Sequence, residues 1–480
     1  MTAFWRMAAL GITCAPIIFG CAAFPPAEKP FTRTPDAAFR DEPPAPSEGP
    51  VLRLPSITHE ILPNGMVVVL SERRDLPMVS LAYANRAARD DGTVNGSGLA
   101  GLTMGMLNAA NSPHAGERGF AEAKRFWKRG AYASGTILLS SFAAAEIEQR
   151  VTVLASMLQE PRFDTKRFGA TRTRLVERAK RALATGFGKQ LALEQLHGRG
   201  HPLTLPFIGN PAAIEGFTLE GVETFHSKHY GPDNGALVIV GAFDVESTLA
   251  LVRREFGAWA NTTSIPKDLT PRSEPWRRGQ IRAYDRGLRD AYVLVVVPCV
   301  GLSSPDGLAA DVFAALFEDV VSSTAYKLVR HHAGGSYDIT SRCLQRPQSG
   351  ALWIEGDVSL SDAGQLVWTI LRDLGQRTRE EPEAEALETA KMRFLGRRAD
   401  RLSTNEGLAF ELGQNFTAGF ELDYLDNLES RTRALTPADI LAVANRTAGA
   451  AAPGVVVFGP RKFLQRQLDP LGAVAWMKSK

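Results

Sequence analysis

The spacing of apolar positions along this chain changes several times, and each change marks an element. "THEILPNGMVVVLSER" (58–73) holds apolar runs on both sides of Pro63-Asn64-Gly65, which predicts two strands about a tight turn. "MVSLAYANRA" (78–87) reads as a third strand. The period then lengthens toward that of a helix, predicting helices over 97–110, 118–129, 144–159 and 164–185. A helix behind a Thr cap, "TLEGVETFHSKHY" (218–230), a turn, a buried strand "ALVIVG" (236–241) and a helix "VESTLALVRREFGAW" (245–259) complete this half.

The second half repeats the pattern. "GLAADVFAALFEDVV" from Gly307 mirrors "GLAGLTMGMLNAANS" from Gly98. "TPADILAVANRTAGAAAPGVVVFG" (436–459) overlays residues 218–241 without a gap. Both stretches open on a Thr N-cap and close on a glycine after a short apolar strand. An offset that stays near 210 to 218 residues predicts a duplicated α+β architecture, with two homologous α/β-sandwich domains at 51–262 and 276–480 joined by a linker at 263–275.

A length of 480 residues suits two such domains, and 44% apolar with 22% charged residues is an ordinary globular composition. The net charge of +3, without a basic block or a basic-aromatic stripe, argues against a nucleic-acid partner. Residues 1–20 carry one early cation, Arg6, and then an apolar stretch too short for a comfortable membrane span, as a secretory signal peptide does. "IFGC" (18–21) resembles the lipobox of bacterial lipoproteins, so Cys21 is the expected acylation site; the plainer alternative is a signal peptide with an incidental cysteine. Residues 21–50, rich in Pro and charge, suit a tether. The chain is therefore expected in a bacterial envelope, lipid-anchored, periplasm-facing and at the outer membrane, since Ala22 rather than Asp follows the cysteine. Of the other cysteines Cys14 leaves with the signal, while Cys299 and Cys343 fit either a bridge or two buried thiols.

"GLAGLTMGML" (98–107) is a helical pattern with two glycines on one face, where each costs about 1 kcal/mol against Ala. The order of hairpin, strand and GLA helix, followed by "HPLTLPFIGNPAAIEGFT" (201–218), "HYGPDNGALVIVGAFD" (229–244) and "ALTPADILAVANR" (434–446), resembles the pitrilysin/insulinase-type zinc metallopeptidases. In active members this helix carries an inverted His-x-x-Glu-His motif. Alignment on GLA places Gly101, Met104 and Gly105 at the two imidazole positions and the carboxylate. None of the three can bind zinc or activate water, so no metal is expected in this chain. The family's third ligand corresponds to Glu177, which reads here as vestigial and more simply as an i,i+4 partner of Arg181. A relocated centre would need His197 with His201, or His226 with His229; neither pair has an obvious third donor.

In the second half "AYKLVRHH" runs into "AGGSYDITSRC", placing Arg330 and Tyr337 on either side of a Gly334-Gly335 reversal. The resemblance implies that these two bind substrate near the scissile carbonyl, where both can donate hydrogen bonds to a developing oxyanion. Taken alone, Arg330 suits a helix C-terminus and Tyr337 a half-buried strand. Some bacterial relatives split the site between two chains that close as a clamshell on an unfolded peptide. The expectation is thus the non-zinc subunit of a heterodimeric peptidase: it supplies Arg330 and Tyr337 in trans to a homologous zinc-bearing subunit that holds the cofactor. The alternative is an inert pseudopeptidase scaffold that binds polypeptide or partner subunits at a membrane.

Overall fold

The structure, a computed structural model, describes residues 52–87, 98–107, 127–132, 134–198, 204, 208–261, 279–301, 304–318, 339–345 and 350–477. These fall within one compact unit, Pro50–Lys480. It contains two six-stranded sheets, one built from each half of the chain.

In the first sheet β1 (Ile57–Ile61) and β2 (Val67–Glu72) form the expected antiparallel hairpin, with Ile57 opposite Ser71 and Ile61 opposite Val67. Gly65 sits in the turn at φ 90°, a conformation only glycine takes without strain. The third strand, β3 (Met78–Asn85), pairs with β5 (Thr136–Ala143) and with β6 (Gly235–Gly241), and β4 (Lys128–Ala131) forms one edge. The order is β1-β2-β6-β3-β5-β4. The second sheet consists of β7 (Ile281–Asp285), β8 (Asp290–Cys299), β9 (Ile339–Gln345), β10 (Gly350–Ser359), β11 (Gly454–Gly459) and β12 (Val474–Met477), in the order β12-β7-β11-β8-β10-β9. Five strands therefore correspond one to one between the sheets. The sixth is taken from opposite ends of the fold: β1 precedes β2 and joins it antiparallel, whereas β12 closes the described chain and joins β7 in parallel.

The duplicated helices are capped as the sequence predicts. Thr218 accepts from the Gly221 amide at 3.1 Å ahead of the helix Leu219–His229, and Thr436 makes a reciprocal capping box with Asp439 ahead of Pro437–Arg446. Three expected boundaries move. Residues 97–110 give a described helix only over Leu99–Met106. The expected helix 118–129 lies mostly outside the described residues, and its last two positions, Lys128 and Arg129, are strand. The helix expected to end at 185 continues through Thr165–His197. Asp164 caps its start by accepting from the Arg167 amide at 2.9 Å.

That 33-residue helix, roughly 50 Å long, ties the halves together. Its first turns pack on Leu99–Met106, where Phe168, Leu175, Val176 and Ala179 join Leu102 and Met106 in a small core. Its last turns lie on the second sheet, with Ala192 and Leu193 against Tyr284, Leu294, Val296 and Phe458. Gly188 lies within these last turns, where a Cβ would be 2.7 Å from the Phe458 ring, so the close approach selects glycine. Lys189 adds an ion pair to Glu355 on β10 at 2.7 Å. Across the other face of the first sheet runs the helix Asn405–Ala418 from the second half, where Leu408, Ala409, Leu412 and Phe416 meet Ala82, Ala84, Ile137 and Val238 in the largest core. Small residues on β3 permit this approach; a Cβ on Gly413 would stand 3.2 Å from the Ala84 Cβ.

Cys299, at the end of β8, and Cys343, on β9, form a disulfide with their Cα atoms 6.1 Å apart. The bridge passes beside Gly350 of β10, whose added Cβ would lie 3.2 Å from the Cys299 Cβ.

Candidate functional site

The helix Leu99–Met106 begins at Gly98, which holds φ 108° and would bring an added Cβ within 2.8 Å of Ile214 Cγ1. From this start the three positions aligned with the zinc motif take different surroundings. Met104 is only 3% exposed and packs with Tyr83, Leu107 and Trp127. A Cβ at Gly101 would have no neighbour within 4 Å among the described residues. One at Gly105 would lie 2.9 Å from Thr171 Cγ2 on the long helix. Among the described residues the glycine face is therefore open at Gly101 but closed at Gly105, where the long helix fills the space. None of the three side chains offers a metal donor.

Glu177, on the exposed side of the long helix, lies 3.5 Å from Lys180, which also reaches Glu215 at 3.6 Å. His226 directs Nε2 to the Leu158 carbonyl oxygen at 3.0 Å and stacks on Tyr230. Burial pushes its pKa down to about 4, against a smaller upward effect of that hydrogen bond, so its ring is neutral near pH 7. His229 stacks instead on Phe225, with ring centroids 4.2 Å apart. Both rings are thus engaged with aromatic neighbours. Among the described residues no group of three His, Cys, Asp or Glu side chains could hold a metal ion. Cys21, His201, Arg330 and Tyr337 lie outside the described residues, and of His197 only the backbone, as the last helical residue, is described.

On the opposite face of the first sheet a groove of about 740 Å³ runs between β4 and the start of the helix Asn405–Ala418. Tyr132, Ile137, Leu139 and Phe410 give it an apolar floor, and the Lys128–Glu406 ion pair crosses it. Arg129 lines it too and holds the Leu107 carbonyl at 3.1 Å and the Trp127 carbonyl at 3.3 Å, so its guanidinium ties the end of the helix Leu99–Met106 to the edge strand. Burial lowers the pKa of that guanidinium. β4 stands at the end of the sheet order, so its outer backbone edge has no strand beside it among the described residues. No pattern in the sequence foretells this groove, because its two walls come from residues more than 250 positions apart.

A second polar group that the sequence does not reveal lies on the covered face of the second sheet. Glu355, 8% exposed, accepts from Lys189 and from the Tyr292 hydroxyl, with Arg342 at 3.9 Å. Burial and the adjacent carboxylate together raise the Tyr292 pKa, so the phenol stays protonated.

Comparison with known proteins agrees with this geometry. Residues 216–394, from just before the helix Leu219–His229 into the second half, match the family model described as "Peptidase M16 inactive domain". A 155-residue stretch is 28% identical to an uncharacterized zinc protease of Mycobacterium leprae, covering 32% of this chain and 34% of that protein. The match thus spans about a third of that relative's length. The fold is shared with a protease from Helicobacter pylori, at a TM-score of 0.72 and 17% identity over 85% of this chain and all of the other. It is shared equally with a peptidase M16 inactive domain from Pseudomonas fluorescens, at 0.71 and 18% over 88% of this chain and all of the other. The chain therefore shares its two-sheet fold with these proteins, as the sequence resemblance implies. Within that fold, residues 216–394 are similar to the inactive domain.

Proposed function

We propose that this chain is the non-catalytic, polypeptide-binding subunit of a two-chain zinc peptidase, lipid-anchored in a bacterial envelope. The observation that carries the reading is the helix Leu99–Met106: it keeps its place against the first sheet, while Gly101, Met104 and Gly105 supply no donor. The match to an inactive M16 domain supports the same reading. The groove beside β4 supports a binding role, since an unpaired edge above an apolar floor suits an extended, unfolded peptide. Zinc and the water-activating carboxylate then belong to a homologous partner, and Arg330 and Tyr337 reach the scissile carbonyl from this side.

The test is an activity assay on the chain alone and on a 1:1 mixture with its zinc-bearing homologue. Alone, the chain is expected to hold no stoichiometric zinc and to leave an unfolded peptide intact; zinc-dependent cleavage by it overturns the proposal. In the mixture, Tyr337→Phe is expected to lower kcat by about 10- to 1000-fold with assembly unchanged, as removal of one oxyanion donor does. A partner fully active by itself, or an unchanged kcat, would leave the inert scaffold as the better account.

A further inference from the structure

Among the described residues of the second half, four large apolar side chains are strongly exposed: Phe463 (48%), Trp368 (47%), Leu288 (41%) and Met477 (40%). Strand directions bring them to one side of the second sheet. β7, β11 and β12 run in parallel, so Asp285, Gly459 and Met477 finish at the same end. Leu288 lies in the turn that leaves β7, tied back by the Arg286 amide to the Gly459 carbonyl at 3.2 Å. The helix Arg461–Leu468 starts at this end, its first amide bound by Asp285 at 2.9 Å. Trp368 belongs to the neighbouring helix Ala363–Arg377, one turn beyond Gly364, whose amide donates to Gln467 at 3.0 Å.

Cations are concentrated on the helix that carries Phe463. Arg461, Lys462 and Arg466 are exposed on a helix without an acidic residue, and none makes an ion pair among the described residues. Of the nearby acids, Asp285 accepts from the Arg461 amide and Asp362 from the Ser359 hydroxyl, Asp373 is buried against Arg372, and Asp290 and Asp469 are exposed. A cation stands over each of three rings: Arg372 over Trp368 at 4.6 Å, Lys462 over Phe463 at 4.9 Å and Arg461 over Trp476 at 4.8 Å. Aromatic rings with cations extended alongside suit a bilayer interface, where the ring enters the acyl boundary and the cation meets phosphate.

We propose that this end of the second half is a membrane-contact surface that seats Trp368, Phe463, Leu288 and Met477 in an anionic phospholipid bilayer. The surface goes beyond the peptidase-subunit reading and does not depend on it. The test uses the mature chain with Cys21→Ser, so that no acyl group contributes, and sedimentation with vesicles of phosphatidylcholine with or without phosphatidylglycerol. Binding is expected on the anionic vesicles only, and should fall as salt rises from about 0.1 M to about 1 M and the Debye length shrinks from about 10 Å to about 3 Å. Lys462→Glu with Arg466→Glu, and separately Trp368→Ser with Phe463→Ser, should each reduce binding at least about tenfold. A charge-matched control, Arg174→Glu with Arg178→Glu on the long helix, should leave it unchanged. Circular dichroism of each variant confirms that the fold is intact. The proposal is overturned if the chain does not bind anionic vesicles above the neutral background, as an acidic protein partner would predict, or if the control pair loses as much as the test pairs. Peptide cleavage is untouched by either result, so the two readings fail separately.

Discussion

Gly101 and Gly105 are four residues apart on one helix, yet a methyl group added to each meets different surroundings. At Gly101 it would meet none of the described residues, so Gly101→Ala is expected to stabilise the protein by about 0.5–1 kcal/mol through helix propensity and a restricted unfolded chain. At Gly105 the side chain would press on Thr171, and Gly105→Leu is expected to destabilise by about 1–3 kcal/mol. Urea midpoints measured with constant m-values decide the matter, and shifts of the same sign would contradict the packing described. The spacing of these positions was legible in the sequence, and so was their lack of donors. Their burial was not, because it depends on how the helix is rotated against the sheet and how closely a second helix lies. Met104 makes the point from the other side: a carboxylate placed there would enter a core with Tyr83 and Trp127, so three substitutions alone would not build an inverted His-x-x-Glu-His site on this helix.

Elements show the same division between local and distant causes. The Pro-Asn-Gly hairpin and the Thr218 and Thr436 caps are set by neighbouring residues, and the sequence predicts them at the correct places. The end of the long helix is set by the second sheet. Position 188 is glycine because Phe458 leaves no room for a Cβ, and Lys189 is held there by Glu355. Lys189→Met should therefore cost about 2 kcal/mol, less than for a wholly buried pair because Lys189 is partly exposed and Glu355 retains Tyr292. Adding Glu355→Gln should recover part of that loss in a double-mutant cycle followed by denaturant unfolding. Independent, additive effects would remove the ion pair from this account. The strand Lys128–Ala131 was missed for a related reason: a short edge strand is defined by the β5 backbone beside it rather than by its own alternation.

At the scale of the molecule, the repeated halves do not make independent bodies. The helix Thr165–His197 crosses from the first half to the second, and Asn405–Ala418 crosses back, so each sheet is covered in part by the other half. The duplication was legible from an offset in the sequence, but this exchange of helices was not, since neither helix carries a mark of which sheet it will cover. The groove at β4 is a product of the exchange, with one wall from each half.

The Cys299–Cys343 bridge, which the sequence left open, carries a consequence for how the fold is reached. It closes 44 residues of chain, from the end of β8 to β9, and that span includes Arg330 and Tyr337. Loop closure of this length is worth about 4 kcal/mol against the unfolded chain. The bond also depends on an oxidising compartment. Chain made and kept under reducing conditions should therefore carry two free thiols and unfold at a lower denaturant midpoint, and equal midpoints with and without reductant would show the bridge to be dispensable. The covalent bond makes maturation a matter of place as well as sequence: the loop between the two cysteines is drawn closed only where thiols can be oxidised.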